Sequence, residues 1–99
     1  MHARLTTLML DPDRLGEAIT QLESDEIPRF KQIDGFKGFT LLVDRDSGKT
    51  TAVSFWESEA AMRESEQAVQ PSRQRAAETG GAAGEPTVER FEVALDTMA

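Results

Sequence analysis

"GFKGFTLLVDRDSGKTTAVSFWES", residues 35–58, is the stretch on which the fold turns. Phe39 to Val43 and Thr50 to Trp56 are rich in β-branched and aromatic residues, the types that suit a pleated, half-buried surface. Between them "DRDSGK", residues 44–49, is a polar turn in which Gly48 can take a positive φ. This pattern predicts a β-hairpin over residues 38–57. Ser58 then stands where a helix N-cap is needed, with Glu57 and Glu59 near the positive end of that helix.

Upstream, residues 3–10 are rich in Leu and Thr and end at "DPD", where Asp11 can cap a helix and Pro12 can enter its first turn. Leu15, Ile19 and Leu22 follow helical spacing, which resumes at Ile27, Phe30 and Ile33 beyond Pro28. One helix or two pieces over residues 12–33 are expected, with a kink near Ile27. Downstream, Ala60, Ala61, Met62, Ala68, Val69, Ala76 and Ala77 supply the apolar side of a second helix, and Pro71 predicts a bend near Val69. "TGGAAGEP", residues 79–86, is a linker, and Thr87–Leu95 is the last strand.

The order is β-α-β-β-α-β, so the fold class is α+β: a ferredoxin-like four-stranded antiparallel sheet with both helices on one face. The other face is left bare. Strand alternation offers two sets for it: Phe39, Leu41, Val43, Val53, Phe55 and Phe91, or Thr40, Leu42, Ser54, Trp56 and Arg90. Either set needs burial, which two sheets packed face to face as a homodimer would provide.

Ninety-nine residues with 38% apolar content fit one domain, residues 1–99. Eighteen acidic against eleven basic residues, a net charge of −7, argue against nucleic acid and anionic membranes as partners. The chain has no cysteine, which removes disulfides, thiolate catalysis and cysteine-bound metal centres. "MHARLTTLML" lacks the apolar run of a signal peptide, so a cytoplasmic location is expected. One histidine and scattered carboxylates make no metal site, and "GGAAG" follows a helix rather than a strand, unlike a phosphate-binding loop.

With "IPRFKQIDGFKGFTLLVD", "VSFWESEAAMRESE" and "VERFEVAL" in this order, the chain resembles the antibiotic-biosynthesis-monooxygenase superfamily over nearly its whole length. The resemblance implies a dimeric α+β barrel and, in its polyketide-oxidising members, oxidation of a planar phenolic compound without a cofactor. Trp56 matches the tryptophan of those members at the end of the third strand; their asparagine four residues earlier and tyrosine six residues later are Ala52 and Met62 here. The haem-degrading members carry an asparagine on the first strand, where this chain has Ala3, and a tryptophan and histidine on the second helix, which residues 58–79 lack. The resemblance therefore points away from haem, and no cofactor is expected.

Trp56 is the sharpest substrate-binding candidate, able to stack on a planar ligand or to donate its indole N–H to a carbonyl; the alternative is a tryptophan filling the core or a dimer interface. Phe39 and Met62 are candidate apolar walls. Arg4 and Arg90, on the neighbouring first and last strands, are candidates for holding an anionic substrate, or else they pair with acids such as Glu89 and Glu92. Arg73 and Arg75 read as solvated, and His2, a nominal general base beside the terminus, as a disordered or surface histidine. Two functions remain open: an oxidoreductase acting on a small aromatic compound, or a non-catalytic dimeric ligand-binding or interaction module. A void of about 300 Å³ beside Trp56 is the expected mark of a ligand site.

Overall fold

The computed structural model describes residues 1–98; Ala99, the last residue of the expected domain, lies outside the described residues. Strand β1 (His2–Met9) is followed by a 3-10 turn (Pro12–Arg14), in which Asp11 accepts a hydrogen bond from the Asp13 amide as expected of a cap. Helix α1 (Leu15–Gln21) passes into a π-helical segment (Leu22–Glu26) and then α2 (Ile27–Phe30). The cause of the widened segment is Pro28. It has no N–H to give the Ser24 carbonyl and its ring crowds that oxygen, so the chain closes a wider turn from the Ile27 amide to the Leu22 carbonyl. The expected break near Ile27 therefore takes the form of a π bulge.

The hairpin is β2 (Phe36–Val43) and β3 (Lys49–Trp56), with Gly48 at a φ of 83°. Strand β2 starts earlier than expected because of an irregularity between Phe36 and Gly38. Phe36 pairs with Trp56, whereas Gly38 pairs with Phe55, so Phe36 and Phe39 both reach the side of the sheet that carries Trp56. Ser58 caps α3 (Glu59–Glu64) by accepting from the Ala61 amide. The second helix is interrupted at Ser65 instead of Val69. Its hydroxyl donates to the Met62 carbonyl at 2.6 Å, and α4 (Glu66–Thr79) then runs through Pro71. Pro71 is tolerated because it and Gln67, whose carbonyl loses a partner, are both exposed to water.

Strand β4 (Thr87–Glu92) stops short of the expected Leu95. Glu92 pairs with His2, and beyond it only the Met1 carbonyl remains, which accepts from the Val93 amide at 2.9 Å. The sheet is antiparallel with order β2-β3-β1-β4, the ferredoxin-like arrangement, and its helices lie on one face. No helix among the described residues is long and apolar enough to cross a membrane.

The register corrects both proposed face sets. Val43 pairs with Thr50 across a turn holding an even number of residues, so odd positions of β2 share a face with even positions of β3. Phe39, Leu41 and Val43 thus lie with Ser54, Trp56 and Arg90 on the helix side, along with Arg4, Thr6 and Leu8 of β1. The open face carries Val53, Phe55 and Phe91 with Thr40 and Leu42. Between sheet and helices the core divides into two clusters, one of Leu8, Leu10, Leu15 and Ala18, the other of Phe30, Trp56, Met62 and Val69.

Candidate functional site

A cavity of about 80 Å³ lies between these clusters. Phe30, Phe39, Leu41 and Val69 give it apolar walls; Trp56 closes one end, beside Arg4 and Arg73. The hydroxyl residues Thr6, Thr50, Ser54 and Ser72 also line it. Its volume is below the roughly 300 Å³ expected of a drug-sized ligand site and suits a single ring or a few waters.

Trp56 has no exposed surface. Its indole N–H donates to Ser54 Oγ at 2.9 Å and its ring meets Phe36 edge-on, with centroids 5.5 Å apart. The indole N–H is therefore occupied within the protein. Ser54, as acceptor of that bond, keeps its own O–H proton for another partner, and its side chain lines the cavity.

Arg4, only 2% exposed, donates through Nη2 to the Met62 carbonyl and to Ser65 Oγ at 2.9 Å. Its guanidinium lies 5.6 Å from the Trp56 ring centre, within cation–π range. Its Nε stands 3.1 Å from Glu66 Oε2, an ion-pair contact without the alignment of a hydrogen bond. Glu66 also accepts from Arg73 Nη1 at 2.8 Å and Arg90 Nη2 at 3.2 Å, so three guanidiniums share one carboxylate. Burial pushes the Glu66 pKa up, but the Arg73 hydrogen bond, the Arg4 and Arg73 charges and the Arg90 bond outweigh it and hold the carboxyl below its ordinary range. Burial lowers the Arg4 pKa; Glu66 opposes this, and Arg73 and Arg90 add to the lowering. An arginine so placed remains charged.

A second carboxylate, this one buried where Glu66 is half-exposed, stands behind the cavity wall. Glu26, in the π segment, accepts from Ser72, from Arg29, from Arg75 Nε at 2.5 Å and Nη2 at 3.0 Å, and from Gln21 Nε2 at 3.1 Å. Burial raises its pKa, and the bonds from Ser72, Arg75 and Gln21 with the Arg75 charge more than reverse this, leaving it below the ordinary value. The bulge turns Glu26 toward α4 and so ties the two helical walls of the cavity together.

Of the five binding candidates, Trp56, Phe39 and Arg4 line the cavity. Met62 and Arg90 do not. The Met62 side chain packs into the Trp56 cluster, 1% exposed, and its carbonyl serves Arg4; Arg90, on edge strand β4, reaches Glu66 from the solvent side. The partner of both Arg4 and Arg90 is Glu66 rather than Glu89 or Glu92, because sheet pairing aligns Arg4 with Arg90 beneath α4. Arg73 and Arg75 are not free in solvent, since Glu66 and Glu26 draw them in. His2 is not disordered: it pairs with Trp56 and Glu92 in the sheet, its Nε2 3.9 Å from Glu59. Sequence reasoning missed Ser54, Thr6 and Arg73. The one signal for Ser54 was its position two residues before Trp56 on the same strand face.

The chain is thus an α+β protein with a small apolar cavity between a ferredoxin-like sheet and its helices, lined at the Trp56 end by Arg4 and Arg73. The fold is shared with solved structures of monooxygenases and of a heme-degrader, all under 25% identical in sequence. It superposes on a monooxygenase of Streptomyces coelicolor in complex with nanaomycin D with a TM-score of 0.80 and 17% identity, covering 99% of this chain and 91% of that one. A heme-degrader of Mycobacterium tuberculosis with two hemes bound gives 0.70 and 23%, covering 99% and 100%. A cofactor-independent oxygenase of Streptomyces nogalater gives 0.65 and 18%, covering 97% and 95%. No family model matches the chain. Two uncharacterized proteins of Mycobacterium tuberculosis H37Rv are 38% identical over 94 residues and 40% identical over 95. The matches take in 95% and 96% of this chain but 41% and 39% of those proteins, so the chain spans about two fifths of their length.

Proposed function

We propose that the chain is a subunit of a homodimeric small-molecule enzyme, a cofactor-independent monooxygenase of a planar phenolic or polyketide-like compound. The observation that carries this reading is the joining of Arg4, Trp56 and Ser54 at one end of an apolar cavity. A phenol bound there meets an aromatic face, the free O–H of Ser54, and two guanidiniums, Arg4 and Arg73, that favour its anion. Such an anion is electron-rich enough to attack dioxygen itself. One oxygen atom stays on the substrate as a carbonyl and the other leaves as water, which takes up the hydrogen lost from the oxidised ring carbon and the proton given up by the phenol. The protein's part is to hold the anion and exclude bulk water.

The likeness to the Streptomyces coelicolor monooxygenase supports the reading at the level of fold. A haem group does not fit. Its iron would find no ligand, since the cavity lining includes no His, Cys or Tyr among the described residues.

The dimer half of the proposal rests on the open sheet face, where Leu42, Phe91 and Met9 are 55%, 49% and 42% exposed beside the half-buried Val53 and Phe55. A second copy, packing its own open face here, would bury all of them and close the barrel.

The test is oxygen uptake with a panel of anthrones, quinols and simple phenols, comparing wild type with Arg4→Lys and Trp56→Phe. Uptake with one of them, lowered at least tenfold by Arg4→Lys in a folded protein, supports the enzyme. The internal satisfaction of the Trp56 N–H and the pairing of every guanidinium here favour a second reading, a non-catalytic ligand-binding module. It predicts binding of a panel member with no uptake.

A further inference from the structure

The cavity takes one ring, yet a groove of about 710 Å³ runs outside it, between the first helical arm and edge strand β2. Leu22, Phe39 and Leu41 line both spaces. We infer that the groove is the entrance and outer compartment of the cavity, that Leu22 and Phe39 form the partition between them, and that one elongated molecule occupies both. This rests on reading the cavity as a small-molecule site. The inner part of the ligand is a flat apolar ring against Trp56; the outer part carries an acidic group.

Three observations support it. First, Ile19, Ile27 and Phe36 give the groove apolar walls that continue those of the cavity. Second, exposed Lys31 and Lys37 line it, against one acidic residue, Glu23. In a chain of net charge −7 this local excess of positive charge selects an anion. Third, the partition stands on the parts of the fold with slack. Leu22 opens the π segment, whose far end is pinned to α4 through Glu26, and Phe39 belongs to an edge strand; both side chains are only half-buried.

Trp56 is the only tryptophan of the chain and has no exposed surface, so its quenching by neutral acrylamide reports passage through the partition. Leu22→Ala is expected to raise the quenching constant about threefold, while Leu15→Ala, an equal truncation in the other core cluster, leaves it near the wild-type value. Should the larger truncation fail to fold, Leu22→Val carries the same sign. The outer compartment is probed with two flat dyes, anionic 8-anilinonaphthalene-1-sulfonate and neutral N-phenyl-1-naphthylamine. The double variant Lys31→Glu, Lys37→Glu is expected to weaken the anionic dye at least fivefold and leave the neutral one unchanged. Quenching unaltered by the Leu22 variants, an equal rise in Leu15→Ala, or equal loss of both dyes overturns the inference. Neither readout uses oxygen uptake, so a protein inert toward every phenol but showing both effects refutes the oxygenase reading and upholds the entrance.

Discussion

The guanidinium carbon of Arg4 stands 5.6 Å from the centre of the Trp56 ring, on the side of the sheet that the helices cover. The pair joins the aromatic core to the Glu66 charge cluster, and Ser54 completes it by accepting the indole N–H. Trp56→Phe keeps an aromatic face for Arg4 and the edge contact for Phe36 but removes the N–H and part of the ring. A loss of about 2 kcal/mol is expected, from the void together with the lost hydrogen bond. Urea denaturation followed by circular dichroism measures it, and a loss below about 0.5 kcal/mol would show that the site collapses around the smaller ring.

Acid should weaken the fold in a defined window. Glu26, faced by Gln21, Arg29, Ser72 and Arg75, and Glu66, faced by Arg4, Arg73 and Arg90, both have folded-state pKa values below the ordinary 4.5. Protons therefore bind the unfolded chain more readily. The stabilisation from each is fully present above pH 4.5 and is lost as pH falls through the depressed folded value. Glu26→Gln should flatten the decline in denaturation midpoint between pH 5 and 3. A slope identical to wild type would show that Glu26 binds its proton equally in both states.

Gly48 holds a φ of 83°, and a Cβ built there would stand 1.8 Å from the Leu10 carbonyl oxygen. Its own carbonyl accepts the Leu10 amide at 2.9 Å, so the turn cannot withdraw without releasing β1. Gly48→Ala is expected to destabilise by about 2 kcal/mol or more, through the positive φ and the backbone clash together. Thermal melting of the variant checks this, and an unchanged midpoint would place the turn in another conformation in solution.

On the open face, Leu42→Lys or Phe91→Lys puts a charge where the proposed dimer would bury apolar surface. Sedimentation velocity should move from a dimer to a monomer at micromolar concentration, with circular dichroism unchanged. A wild-type chain that sediments as a monomer removes the dimer and leaves another partner to cover this face.

Much of the architecture was legible because it depends on local chemistry. Asp11 and Ser58 cap where their side chains reach free amides, Gly48 turns because it has no Cβ, and Pro28 breaks its helix because it lacks a donor. The register was harder. Which residues share a face depends on whether a turn holds an odd or even number of residues, and on the irregularity after Phe36, and neither leaves a mark in composition.

The sequence by itself determined the element order, the antiparallel sheet with one bare face, and Trp56 and Arg4 as residues to watch. Only the tertiary structure decided that Glu66 gathers Arg4, Arg73 and Arg90, that Ser54 occupies the Trp56 N–H, and that Glu26 ties the helical walls together. These contacts join residues on separate elements, and a salt bridge selects its partner by distance after packing. A charge on a strand finds whichever acid the helix above it brings within reach, not the one nearest in sequence.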